Sequence, residues 1–203
     1  MIASKQPTAL FVADSHFHLQ PSQAEQYRLG RFLDFLDLAR RAEHLFLLGD
    51  VFDFWFDYPH FRLKGYEALL QALDDVRDSG TRIHFVGGNH DIWASGYLAA
   101  RYGCEPSGQP FTVRLGDLRI RVDHGDGLVA YDWFYDSFRA LVRNRAGVIL
   151  AKSLHPELLY LFSTWLSGRS RTADRDEADR IEAKANAWLA ARTDDAWDLI
   201  VIG

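Results

Sequence analysis

Cysteine is nearly absent from this chain. A lone Cys104 among 203 residues cannot form an intrachain disulfide, so nothing in the fold needs an oxidising compartment. A basic surplus is absent too: 23 Lys and Arg stand against 28 Asp and Glu, a net charge of −5. That balance argues against general attraction to nucleic acid, whose phosphate backbone favours basic proteins. No apolar stretch approaches the roughly 20 residues needed to cross a bilayer. Met1 to Ala9 carries one Lys and no long apolar run, so it does not read as a secretion signal. These absences predict a cytoplasmic protein, soluble or at most peripheral on a membrane, with no nucleic-acid partner. What is present points to a real core: 48% of residues are apolar, with 14 Phe, 8 Tyr and 6 Trp, and only 25% are charged. That composition excludes disorder, and the length suits one domain with insertions.

The first two thirds alternate short apolar runs with amphipathic ones, the pattern of a layered α/β architecture. Thr8 to Ala13 reads as a buried first strand, and Ser22 to Ala42 as a helix whose capping box is Ser22 with Glu25. His44 to Leu48 reads as the second strand. A second helix is expected from about Phe61 to Asp78, stopped by Gly80, followed by a third strand from Arg82 to Val86. Phe111 to Leu115 and Leu118 to Val122 form a hairpin around Gly116-Asp117. From about 131 to 192 the pattern is almost wholly helical. Asp198 to Ile202 then returns to strand composition, so the helical stretch is expected to be an insertion between two strands of a sheet.

Chemistry-bearing residues gather at the C-terminal ends of these strands. Asp14 and His16 follow the first, Gly49-Asp50 the second, Gly88-Asn89-His90-Asp91 the third, and His124-Gly125-Asp126 the fifth. That edge is where open α/β sheets bind ligands. Taken singly, Asp and Asn beside Gly are ordinary turn residues. Four such groups in order, each at a strand end, point to a site. The donor set mixes oxygen and imidazole nitrogen without thiolate, which suits Mn²⁺, Fe or Zn²⁺. Two such cations need a shared carboxylate, and Asp50, between the flanking donor groups, is the natural bridge. A cation pair of that kind would activate a water for in-line attack on phosphorus.

Asp14-x-His16, Gly49-Asp50-x-x-Asp53, Gly88-Asn89-His90-Asp91 and His124-Gly125-Asp126 resemble the successive motifs of the calcineurin-like metallophosphoesterases. The resemblance implies a layered sandwich of mixed β-sheets flanked by helices. It also implies two divalent cations, Mn²⁺ before Fe or Zn²⁺. Asp14 and His16 would hold the first cation, Asn89 and His124 the second, with Asp50 bridging. His90 would contact the phosphate or protonate the leaving oxygen, and Asp53 would orient it. Within the family, Asp50-Val51-Phe52-Asp53-Phe54-Trp55 and the run His124-Gly125-Asp126-x-Leu128-x-x-x-Asp132-x-x-Tyr135-x-x-Phe138-Arg139-x-x-Val142-Arg143-Asn144 are similar to the UDP-2,3-diacylglucosamine diphosphatases of lipid A synthesis. Those enzymes use a helical insertion as a lid over acyl chains. The likeness therefore implies an acylated UDP-sugar substrate, contact with the cytoplasmic face of the inner membrane, and a substrate-binding role for Asp132, Tyr135, Arg139 and Asn144. At position 90 the chain keeps the His of the general family pattern, where the better-known branch of the subfamily is expected to carry Arg.

The expected insertion has its own bias. Residues 137 to 172 hold six cations (Arg139, Arg143, Arg145, Lys152, Arg169 and Arg171) against one acid, Glu157, a local balance of +5. Ile149, Leu154, Leu158, Phe162 and Trp165 recur among them at helical spacing. Such a stretch either packs its apolar face on the fold with a solvated basic back, or receives an anionic glycolipid. Leu199 to Gly203 reads as a strand and turn leading into the family's final Gly-His-x-His motif, so the natural chain is expected to continue. Two other readings stand beside the leading one: a phosphodiesterase or phosphatase for a soluble phosphoester, and a scaffold that keeps the fold without the chemistry.

Overall fold

The computed structural model describes residues 8–57, 63–104, 110–125, 144, 155, 157–158, 175–190 and 197–203. The chain divides into two compact units, Met1–His124 with Trp197–Gly203, and Gly125–Ala196.

In the first unit β1 (Ala9–Val12), β2 (His44–Leu47) and β3 (Arg82–Phe85) form a parallel sheet in that order. Its register pairs Phe11 with Phe46 and Phe46 with His84. Parallel neighbours need a crossover, and α1 (Gln23–Ala39) and α2 (Glu67–Asp78) provide them. The first begins as its sequence requires: Ser22 Oγ accepts from the Glu25 amide, and the Glu25 carboxylate accepts from the Ser22 amide. The second starts later than its apolar pattern suggests. Residues 63–66 are not helical, because Gly65 turns left-handed, at φ +115°, and donates its N–H to the Glu67 side chain at 2.7 Å. A short helix, α3 (Ser95–Tyr102), follows a 3-10 turn at Ile92–Ala94.

β4 (Phe111–Leu115) and β5 (Leu118–Asp123) form the expected hairpin, and β6 (Leu199–Ile202) joins β5 in parallel. The chain between β5 and β6 leaves the first unit and returns to it.

Alternation along β2 decides what each sheet face meets. Leu45 and Leu47 enter a core with Phe32 and Leu36 of α1, Leu69 and Leu73 of α2, and Leu98 of α3; Cys104 is buried there as a small apolar residue. Phe46 and Leu48 enter a second core with Leu115, Ile120 and Val122 of the hairpin. The unit is thus layered helix, sheet, sheet, with strand ends free at one edge.

In the second unit α4 (Arg175–Ala190) lies inside the stretch expected to be helical. Leu158, counted in the expected apolar face, is exposed. Among the described residues no helix is long and apolar enough to cross a membrane.

Candidate metal centre

Beyond the last paired residues of β1 and β2 the two chains remain tied. His16 N–H donates to Asp50 O at 2.8 Å, Phe17 N–H to Val51 O at 3.0 Å, and Asp53 N–H to Phe17 O at 3.0 Å. Within that stitched pair the backbone is unusual. Asp14, His16 and Asp50, at φ of 49°, 44° and 51°, are the non-glycine residues with left-handed backbone among those described. Side-chain-bearing residues avoid this region, and where they adopt it the surrounding structure holds them there, commonly at functional sites. All three were singled out as metal ligands on sequence grounds alone.

The side chains converge. Asp50 Oδ2 lies 3.7 Å from His16 Nε2 and 3.5 Å from His124 Nε2, so one buried carboxylate oxygen faces two imidazoles. Two groups of donors come together around it, His16 with Asp50 and His90, and Asp14 with Asp50 and His124, each within 4.8 Å. Asp50 belongs to both. His124 Nδ1–H donates to Leu48 O at 2.7 Å, which fixes the tautomer and leaves Nε2 for a ligand. His90 is held the same way, Nδ1–H donating to the main-chain carbonyl of Asp53 at 2.8 Å. Crowding explains the glycines: a Cβ on Gly88 would fall 2.1 Å from Asp50 Oδ1, and one on Gly49 2.7 Å from His124 Nδ1.

The electrostatics describe a site short of positive charge. Burial works against a charged His124, yet its contact with Asp50 and the charge of that carboxylate lift it to about 9. His16 is raised likewise, burial being outweighed by Asp53, Asp50 and Asp14. Asp50 is held below the ordinary carboxylate value: burial opposes this, but the contact with His124 and the charges of His124 and His90 prevail. Protons thus collect on imidazoles around shared carboxylates, which is where divalent cations would replace them.

One residue in this region has no role that its sequence position suggests. Asp91 is fully buried and gathers four backbone N–H groups: Asp50 and Gly88 on Oδ1, each at 3.0 Å, and Val51 and Phe52 on Oδ2 at 2.8 and 3.3 Å. It therefore holds the loop that bears Asp50 in its left-handed turn. Burial and the neighbouring charge of Asp50 push its own carboxyl up to about 7, against the pull of those donors.

A family model described as calcineurin-like phosphoesterase matches residues 7–200. The chain belongs to the calcineurin-like phosphoesterase family. Similar proteins include a UDP-2,3-diacylglucosamine hydrolase of Porphyromonas gingivalis, 30% identical over 79% of this chain and 62% of that protein. Proteins of the same name from Pseudomonas putida and Chromohalobacter salexigens are 31% and 32% identical over 82% and 86% of this chain, and 69% of each relative. The chain thus spans between 62% and 69% of these relatives' lengths.

Membership of the calcineurin-like phosphoesterases implies divalent cations, and the donors around Asp50 fit them. Asn89, expected on the second cation, is exposed beside His90. Asp53, expected to orient His90, accepts from its Nδ1 through the main-chain carbonyl at 2.8 Å, with its carboxylate 3.7 Å away. Asp132, Tyr135 and Arg139 lie outside the described residues, and Asn144 is exposed in the second unit. Sequence reasoning gives no role to Asp91, and considers His18 only as a stand-in metal ligand. The acid of Gly-Asn-His-Asp is visible as part of a motif, but its four partners lie up to 41 residues away.

Proposed function

We propose that this chain hydrolyses the pyrophosphate of UDP-2,3-diacylglucosamine, releasing UMP and 2,3-diacylglucosamine 1-phosphate, a step of lipid A synthesis. The observation that carries the reading is the meeting of two donor groups, His16 with His90 and Asp14 with His124, at a shared Asp50, beside left-handed backbone at Asp14, His16 and Asp50. The substrate class comes from relatives that bear that name at 30 to 32% identity.

In this reading Asp14, His16, Asp50, Asn89 and His124 hold two divalent cations, Mn²⁺ first among them. When bound, the cations supply the positive charge that makes a water nucleophilic and offsets charge developing on phosphorus. The chain's own residues do the rest. Asp50 serves both donor groups through one oxygen, and Leu48 O fixes the His124 ring by holding its Nδ1 proton. His90, anchored through Nδ1, contacts the phosphate or protonates the leaving oxygen. In this proposal the segment from about 131 to 192, expected from its sequence to be a helical insertion, supplies Asp132, Tyr135, Arg139 and Asn144 for the sugar nucleotide, and apolar side chains for the acyl chains. Peripheral contact with the inner membrane follows from a substrate of that kind.

The test is UMP release from the acylated UDP-sugar in detergent micelles with Mn²⁺, beside release from an aryl phosphodiester. The expected result is turnover of the acylated substrate that falls at least about 100-fold in Asp50→Asn, since losing a bridging ligand should exceed the 10- to 100-fold effect of a supporting one. Hydrolysis of the aryl ester with no UMP from the acylated UDP-sugar would overturn the substrate assignment.

A further inference from the structure

We propose that His18 is a positioning residue, which ties the buried Asp53 carboxylate to the first turn of α1 and so holds the His16 ring in place for a cation. The proposal rests on the metal site described above but not on the substrate.

His18 sits between two carboxylates. Its Nδ1 is 3.2 Å from Asp53 Oδ2 and its Nε2 is 3.1 Å from Glu25 Oε1. Both ring nitrogens are therefore engaged, and His18 is turned away from the role of a further ligand. Asp53 needs such an anchor, because it is buried and its other oxygen, Oδ1, faces two rings of the metal centre: His16 Nδ1 at 3.6 Å and His90 Nδ1 at 3.7 Å. A short, buried carboxylate with one oxygen fixed by His18 can present only the other to His16. The His16 Nδ1 atom is buried without a hydrogen-bond partner. Asp53 Oδ1 is within a few tenths of an ångström of that role, and a carboxylate behind a ligating imidazole orients the ring and raises its basicity.

The far end of the chain of contacts is equally fixed. Glu25 is the capping-box residue of α1, its Oε2 accepting the Ser22 amide at 2.8 Å. Three residues on, Arg28 donates to the His16 carbonyl at 3.1 Å and lies 5.5 Å from the centre of the Phe17 ring. The first two turns of α1 thus grip His16 and Phe17 through Arg28, and His18 through Glu25. An element that begins outside the metal centre sets the position of one of its ligands.

The experiment measures Mn²⁺ affinity by competition with a metallochromic chelator, for the wild-type chain and for His18→Ala, His18→Asn and His18→Gln, together with melting of the metal-free proteins. The Asn amide nitrogen occupies the place of Nδ1 and keeps the Asp53 contact, whereas Gln reaches only toward Glu25. The expected result is an affinity about 10-fold weaker for His18→Ala and His18→Gln, and near that of wild type for His18→Asn, with no such order in the melting temperatures. Wild-type affinity in His18→Ala, or in His18→Gln should the Ala variant not fold, would overturn the proposal. So would rescue by Gln instead of Asn. If wild type binds Mn²⁺ and the variants follow the expected order while the acylated UDP-sugar is not cleaved, the substrate assignment fails and the role of His18 stands. A wild-type chain that takes up no Mn²⁺ overturns both.

Discussion

Asp50 holds a conformation that costs free energy for a residue with a Cβ, on the order of 1 kcal/mol or more, and Asp91 is what makes it tenable. Removing the Asp91 carboxylate would strand four buried N–H donors at once. Each stranded donor costs about 1–3 kcal/mol, partly relieved by entering water, so Asp91→Ala is expected to lose about 3–5 kcal/mol of stability. Asp91→Asn, which keeps one acceptor oxygen, should lose roughly half as much. Urea unfolding of the metal-free protein measures this directly. An Ala variant within about 1 kcal/mol of wild type would mean that the loop holds its own shape.

At the scale of elements, the second strand and its neighbour carry a pH response of their own, through a histidine pair that is not among the metal ligands. His44 on β2 and His84 on β3 share a hydrogen bond, Nδ1 to Nε2 at 2.9 Å. The His84 ring stacks on Phe46 at 4.2 Å and lies 6.2 Å from Phe111 of β4. Burial, then His44 and Arg82, lower His84 to about 4; His44 is lowered by burial and by Arg82, opposed by Glu43. A histidine depressed below its unfolded value of 6.5 takes up its proton more readily when unfolded. Its contribution to stability is therefore complete above that value and is lost as pH falls toward 4. Allowing for its partial exposure, the loss is about 1–2 kcal/mol, or about 3–6 °C in Tm between pH 7 and pH 4.5. His84→Phe keeps the stacking ring and should flatten most of that slope in calorimetric melts; an unchanged slope would assign it to other groups. The strands themselves were legible in the sequence because apolar residues repeat along them, and α1 because Ser22 and Glu25 announce its start. The start of α2 was misread because Leu63 extends the apolar pattern, while a left-handed Gly65 carries no hydrophobic signal. α3 was missed: eight residues without a side-chain cap leave little to see.

For the whole molecule, the candidate site was legible because its residues follow strands β1, β2, β3 and β5, and parallel neighbours deliver their C-terminal ends to one edge. What was not legible is what holds them there. Asp91, His18 and Glu25 act across 7 to 41 residues of chain, and no local pattern marks such contacts. Two roles were assigned to separate parts of the chain, chemistry to the strand ends and substrate choice to the insertion. Replacing Arg139 or Tyr135 by Ala should therefore lower turnover of the acylated UDP-sugar at least about 10-fold, while an aryl phosphodiester loses little; equal losses on both substrates would place these residues in the chemistry. The Asp91 nest has a consequence for how such a protein comes to be loaded. In small zinc modules the ion and the fold arrive together, because the apo chain has no site to offer. Here the Asp91 carboxylate, gathering four backbone N–H groups, braces the ligand loop from within the fold, so a cation would meet a cradle that the chain itself supplies. Maturation would then be a capture step, its pace set by how fast the ion sheds water and displaces protons rather than by any rearrangement of the chain.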